Sequence, residues 1–465
     1  MRPSRREFLG GAAAAAVGMA AARKASGQAS AQPRPNIVVL LADDLRHDTI
    51  AALGNREIQT PNLDRLVNRG TAFTQATIMG GLQGAICVPS RAMFHTGRHL
   101  FHLEGDGQRI PPAMISLPEV LRAGGYQTHA VGKWHNDKAS LNRAYAGGSR
   151  IFLGGMHSPY AARLHDYDGA GEYAPASAKD FTGTHATEVF TDAAVEFLTR
   201  SHDAPFFLYV AFTAPHDPRE APEAFRKRYD PARLSVPPNL LPRHPFDNGE
   251  LAIRDEQLAP WPRTPEIIQQ HTADYYACIS HLDAQVGRIL DTLDAQALSA
   301  NTIVVFAGDN GLAVGQHGLM GKQNLYEHSI RVPLLMAGPG IAASSKCDAP
   351  CYLHDLFPTL CEAIDLPLPP SVESTSLWPC IGNPACRPHN ATFHAYRDVQ
   401  RAVRTGQHKL IQYAVNGEVR TQLFDLGADP WELNDLAEAQ PELRAELEAL
   451  LQQWRETVEF HQAPS

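Results

Sequence analysis

Three unbroken aliphatic runs constrain the fold more than any other feature of this chain. Asn36 to Leu41 (Asn-Ile-Val-Val-Leu-Leu), Pro205 to Phe212 and Thr302 to Ala307 show no polar alternation, the pattern of strands buried on both faces of a parallel sheet. Each run ends in polar residues: Asp43-Asp44 after the first, Thr213-Ala214-Pro215-His216 after the second, and Gly308-Asp309-Asn310-Gly311 after the third. Helical patterns lie between them. The clearest places Tyr275, Ile279, Leu282, Val286, Ile289 and Leu293 on one apolar stripe. Strands alternating with helices predict a doubly wound α/β fold with a mostly parallel central sheet flanked by helices. Ligands of such sheets bind beyond the carboxyl ends of the strands, where this sequence concentrates acids, histidines and lysines.

The chain of 465 residues, 44% hydrophobic and 20% charged, is long enough to bury a sizeable core. Its 41 Lys and Arg against 50 Asp and Glu leave a net charge of -9, with no basic surplus for a nucleic-acid backbone, so nucleic acid is excluded as a partner. The prolines between Ser235 and Pro265 predict an irregular surface excursion that borders the substrate. A second Pro-rich stretch, 366–388, separates a catalytic domain (36–365) from a smaller C-terminal α+β subdomain (389–465). That subdomain has a strand at Lys409–Tyr413 and a last helix from Pro441 to Val458.

Residues 1–31 read as a twin-arginine signal peptide: Ser4-Arg5-Arg6-Glu7-Phe8-Leu9, an Ala-rich run from Gly10 to Ala22, and cleavage after Ala29-Ser30-Ala31. The run falls short of the roughly 20 apolar residues a membrane span needs, so no stable membrane anchor is expected. The expectation is a periplasmic or secreted bacterial protein that engages the twin-arginine export machinery. Seven cysteines, at 87, 278, 347, 351, 361, 380 and 386, leave at least one thiol unpaired if disulfides form, and their connectivity stays open. Cys347 and Cys351 lack a matching Cys/His pair, which favours a disulfide or plain burial over zinc.

The most informative segment is Cys87-Val88-Pro89-Ser90-Arg91, continuing to Thr96-Gly97-Arg98. Here the chain resembles the sulfatase family, whose signature is C-x-P-S-R followed by T-G-R. The resemblance implies an alkaline-phosphatase-like fold. It also implies that a formylglycine-generating maturation enzyme converts Cys87 to formylglycine, which hydrates to a geminal diol. Asp43, Asp44, Asp309 and Asn310 are hard oxygen ligands suited to calcium or magnesium rather than zinc. Singly, such pairs read as caps and turns. In family order they match the calcium ligands, with residue 87 also at the metal, and Ca2+ is expected ahead of Mg2+. Gly132-Lys133-Trp134-His135, Pro215-His216-Asp217-Pro218 and Gly321-Lys322 with Tyr326-Glu327 match further family motifs. Thr60 to Asp64, Asp355 to Leu360, Arg401 to Thr405 and Leu423 to Leu426 extend the resemblance along nearly the whole mature chain, as scaffold.

The mechanism this implies has one hydroxyl of hydrated formylglycine 87 attacking sulfur in line. His216 or Lys322 protonates the leaving alcohol, His135 deprotonates the second hydroxyl, and Arg91 and Lys133 balance charge. Asn136 departs from the family pattern. The stretch from Ile151 to Tyr173, with His157, Tyr160, His165 and Tyr167, is a candidate specificity region as well as an ordinary loop. His95, His99, His102 and His317 are candidates for a supporting layer around the site. The resulting expectation is a calcium-dependent sulfuric ester hydrolase releasing inorganic sulfate from a small-molecule or oligosaccharide ester, by preference a carbohydrate sulfate. A phosphonate monoester or phosphodiester hydrolase of the same superfamily, and an inactive glycan-binding relative, are the alternatives.

Overall fold

The computed structural model describes residues 34–459; the signal-peptide reading of 1–31 lies outside them. All three aliphatic runs are central strands. The main sheet uses, in chain order, β1 (Asn36–Ala42), β2 (Gly70–Phe73), β3 (Gln127–Lys133), β4 (Gly147–Phe152), β5 (Phe206–Ala211), β6 (Thr302–Gly308), β7 (Leu334–Ala337) and β8 (Ser345–Cys347). Their spatial order is β8-β2-β7-β6-β1-β5-β3-β4. The block β6-β1-β5-β3-β4 is wholly parallel, while β7 is antiparallel to both of its neighbours.

The lack of alternation in β1 has its explanation in two cores. Ile37, Val39 and Leu41 join one apolar cluster, and Val38, Leu40 and Ala42 join a second. Both faces are dry, so a polar residue at any of these positions would lose its water without gaining a partner. On the second face lies the helix Pro265–Ala295, whose predicted stripe is entirely buried, packed against helices Pro61–Arg69 and Ala186–Leu198. Asp283 on the long helix accepts hydrogen bonds from the backbone N–H groups of Asn62 (3.0 Å) and Leu63 (2.7 Å). It thereby caps the N-terminus of Pro61–Arg69 from another helix.

The C-terminal sheet is antiparallel through Thr392–Tyr396, Gln400–Arg404, His408–Val415 and Glu418–Asp425. Its fifth strand, Gly80–Gly81, comes from the segment just before Cys87 and runs parallel to Thr392–Tyr396. The helix Pro441–Trp454 covers this sheet and packs Leu447, Leu451 and Trp454 into a third cluster that reaches Met93. Residues 235–264 are irregular except for the short 3-10 turn Arg254–Leu258, and Pro265 opens the long helix. Cys380 and Cys386 form a disulfide, and Cys87, Cys278, Cys347, Cys351 and Cys361 are buried thiols, so plain burial is the outcome at Cys347 and Cys351. No helix among the described residues is long and apolar enough to cross a membrane.

Candidate active site

The carboxyl ends of β1, β6 and β3 converge. Beyond β1 stand Asp43 and Asp44, and beyond β6 stand Asp309 and Asn310. The backbone N–H of Asp309 donates to Ala42 O (3.0 Å), and that of Asp43 donates to Ala214 O (3.1 Å) on the loop carrying His216. Cys87 opens the helix Cys87–Thr96, so its side chain sits at the positive end of a helix dipole. Lys133 ends β3, and His135 follows two residues later.

Around the Cys87 Sγ lie His135 Nδ1 at 3.3 Å, Lys133 Nζ at 3.7 Å and Lys322 Nζ at 4.0 Å. Lys133 donates to Asp43 Oδ2 (2.6 Å) and Gly155 O (2.7 Å), and Lys322 to Asp44 Oδ1 (2.6 Å). Asn310 Nδ2 also donates to Asp44 Oδ1 (2.7 Å). His216 Nε2 faces Asp44 Oδ2 at 3.7 Å, while its Nδ1 lies 2.8 Å from Asp217 O. That second contact makes Nδ1 the protonated nitrogen of the neutral ring. Arg91 is fully buried, giving Nε to Asp309 Oδ2 (2.9 Å) and Nη1 to Lys133 O (2.9 Å). It therefore holds the strand ends together from beneath.

The electrostatics are those of a crowded, water-poor site. Burial alone would raise the Asp43 carboxyl, but Lys133, His216, Arg91 and Lys322 hold it well below the usual carboxylate range. Asp309 goes the other way, to about 7, through burial and the charge of Asp43. Burial would neutralise Lys322, yet Asp44, Cys87 and Asp43 keep it well above its ordinary value. His135 is pushed down to about 2 by burial and by Lys133 and Arg91, so it is neutral. Burial raises the Cys87 thiol. Two buried oxygens, Asp43 Oδ1 and Asn310 Oδ1, have no hydrogen-bond partner among the described residues.

Backbone geometry is bent to make this convergence. Asp44 and His135 both adopt left-handed φ, 63° and 72°, conformations that cost non-glycine residues energy and cluster where function over-determines the chain. Gly132 at φ 88° lies so close to β5 that a Cβ would sit 2.0 Å from Ala211 O. Only glycine fits there, which explains the first residue of the Gly-Lys-Trp-His motif.

All six predicted catalytic positions and all the predicted metal positions meet at this point. The sequence reading missed the support around them. Asn136, the departure after His135, donates to Val88 O (3.1 Å) and Gly107 O (2.6 Å), stitching the helix Cys87–Thr96 to a neighbouring turn. Gln323 Nε2, directly after Lys322, donates to Gly84 O (3.0 Å) and Asp255 Oδ2 (2.7 Å). Glu256 accepts the N–H groups of Met320 (3.1 Å) and Gly321 (2.9 Å). The Pro-rich excursion thus braces the Lys322 loop, and its Arg254 pairs with Asp217 beside His216.

Of the four residues singled out in 151–173, His157 borders a small cavity shared with Gly155 and His216. Tyr167 donates to Tyr145 O (2.8 Å), His165 packs on Tyr173, and Tyr160 packs on His185. His95 is buried among Trp134, Tyr145 and Tyr209, a supporting position. His317 stacks on Tyr326, while His99 and His102 gather at Glu373.

A family-wide sequence profile described as Sulfatase matches residues 35–366, and one described as N-sulphoglucosamine sulphohydrolase, C-terminal, matches 315–457. The chain belongs to the sulfatase family. This sulfatase is 29% identical over 440 residues to the ulvan-active sulfatase of Formosa agariphila, covering 90% of this chain and 80% of that one. Its fold matches a protein solved with its substrate D-glucosamine-2-N,6-O-disulfate, with a TM-score of 0.76, 24% identity and coverage of 91% and 98% of the two chains. It also matches the phosphonate monoester hydrolase of Agrobacterium radiobacter, with a TM-score of 0.72, 21% identity and coverage of 91% and 96%. The family places the chain among the sulfuric ester hydrolases, on an alkaline-phosphatase-like α/β fold.

Proposed function

We propose that this sulfatase releases inorganic sulfate from a sulfated carbohydrate, using a formylglycine made from Cys87 and a calcium ion held by Asp43, Asp44, Asp309, Asn310 and residue 87. The observation that carries the reading is the set of four hard-oxygen side chains at two adjacent strand ends. Two of their oxygens are buried without a hydrogen-bond partner among the described residues, and Asp43 and Asp309 gather with Cys87. Such a donor set fits a hard divalent cation. When bound, that cation supplies Lewis-acid stabilisation of anionic oxygen at the sulfate ester. Conversion of Cys87 supplies a geminal diol in place of a single thiol, a nucleophile that regenerates without water attacking crowded sulfur.

The chain's own residues divide the remaining work. Lys133 and Lys322, the two ammonium groups within 4.0 Å of the residue 87 side chain, receive the sulfate oxygens in a region where little water screens their charge. His135, neutral and 3.3 Å from that side chain, holds a lone pair ready to take a proton from residue 87. His216 gives its Nδ1–H to Asp217 O, so only the protonated ring has a proton at Nε2. From Nε2, which faces Asp44, it hands a proton to the departing alcohol. Arg91 positions Asp309 and the end of β3 and adds balancing positive charge beneath the site.

Export by the twin-arginine route, after the maturation enzyme has acted, accompanies this reading, as does a C-terminal subdomain beginning near 389. The ulvan-active relative and the disulfated glucosamine complex support carbohydrate as the alcohol. Mass spectrometry of the Cys87 peptide from the native host, with sulfate release from a panel of sulfated saccharides, tests it. Aldehyde at residue 87 and turnover of saccharide sulfates are expected. Unmodified thiol in fully active protein would overturn the nucleophile. Turnover confined to aryl sulfates would overturn the substrate, and faster turnover of matched phosphonate or phosphate diesters would favour the other hydrolase reading.

A further inference from the structure

His99, His102 and Glu373 form a second cluster of metal-binding side chains, away from the catalytic carboxylates. Each offers one ligand atom, all lying within 4.8 Å of one another. Glu373 Oε1 is 2.8 Å from His102 Nδ1, and Glu373 Oε2 accepts the backbone N–H of His99 at 2.8 Å. The two imidazoles lie nearly parallel with centroids 6.1 Å apart. His354, 1% exposed, sets its ring edge-on to His99 at 5.8 Å, and its Nε2 has no partner among the described residues.

We propose that His99, His102 and Glu373 bind a borderline transition-metal cation, zinc foremost, at a site distinct from the catalytic calcium. Two imidazoles and one carboxylate suit Zn2+, which takes nitrogen and oxygen ligands in tetrahedral array with room for a water, whereas calcium prefers six or more oxygens. Position gives the site a consequence. His99 and His102 follow the helix that begins at Cys87, and Glu373 lies on the Pro-rich connection. The N–H groups of Glu373 (2.9 Å) and Ser374 (3.0 Å) donate to Gly97 O at the end of that helix. A bound ion would clamp the connection to the helix carrying the nucleophile. The alternative is that Glu373 is a purely structural clamp, binding the His99 N–H, His102 and Arg98, the last at 3.4 Å.

The test is titration of the calcium-saturated, full-length protein with Zn2+ by calorimetry, with Co2+ as a spectroscopic probe. One equivalent of Zn2+ is expected to bind and to raise Tm with concentration; Co2+ added in its place should show the visible bands of a tetrahedral nitrogen and oxygen site, which Zn2+ then bleaches. Both signals should vanish in H102Q and E373Q and persist in D309N, which alters only the catalytic carboxylates. E373Q keeps an oxygen for the His99 N–H, and H99Q replaces H102Q if circular dichroism shows that variant unfolded. Absence of a Zn2+ equivalent on the wild type, or a signal unchanged in the variants that fold, would overturn the proposal. Failure here leaves the Cys87 reading untouched, since that is judged on the aldehyde and on sulfate release.

Discussion

Lys409 is the buried cation on which the Lys322 loop and the C-terminal sheet depend together. Its side chain is 0% exposed, with Nζ donating to Leu325 O (3.0 Å) and Glu327 Oε1 (3.2 Å) and paired with Glu432. In K409M, Glu327 keeps Arg404 at 3.0 Å, but Glu432 loses its only cation among the described ion pairs. Breaking a buried pair on one side costs about 3–5 kcal/mol. For 465 residues the unfolding entropy is about 1 kcal/mol/K, so Tm should fall by about 3–5 °C. Glu432 already stands at about 7 through burial and the charge of Glu327, against Lys409, and removing the lysine raises it further. A carboxyl whose folded pKa lies above its unfolded one loses stability as pH rises toward the folded value. The deficit of K409M should therefore be larger at pH 8.5 than at pH 6. Adding E432Q, whose amide oxygen still accepts the Glu327 N–H, should restore more than half of the loss. Differential scanning calorimetry of the three proteins at both pH values decides it. A single variant within about 1 kcal/mol of wild type, or a double variant worse than the single one, would refute the reasoning.

Three further outcomes follow from the same structure. Gly132→Ala should cost about 3 kcal/mol or more, because the new Cβ meets Ala211 O at 2.0 Å with φ at 88°; urea midpoints measure it. His135→Ala should lower kcat by about 10²–10⁴-fold while leaving Tm nearly unchanged; steady-state sulfate release and a melting curve check both halves. Burial holds His95, His354 and His394 each at about 3, below their unfolded value near 6.5. Their stabilisation is complete above that pH and is lost progressively as pH falls toward 3. Tm should thus drop between pH 7 and pH 5, and His394→Gln should flatten that slope.

Sequence alone determined the parts governed by local chemistry. The aliphatic runs, rich in β-branched residues and closed by polar turn residues, fit two-sided strands, which bury both sets of alternating residues. The stripe from Tyr275 to Leu293 had to face a core. The motifs were legible because catalysis fixes residue type at strand ends, and the glycine of Gly132-Lys133 was fixed by a steric limit. Tertiary structure alone decided what depends on distance between remote segments. Nothing local says that Gly80–Gly81 pairs with a strand more than 300 residues later. Nor does it say that Glu256 from a Pro-rich loop caps Met320 and Gly321, or that Asn136 ties Val88 to Gly107. Tyr167 and His165 looked like substrate residues because their composition suits a sugar, yet packing turns them toward Tyr145 and Tyr173. His99 and His102 lie within 15 residues of Cys87 in sequence, but the helix Cys87–Thr96 carries them to its far end, beside Glu373. A ten-residue helix is about 15 Å long, and that rise separates His99 and His102 from Cys87.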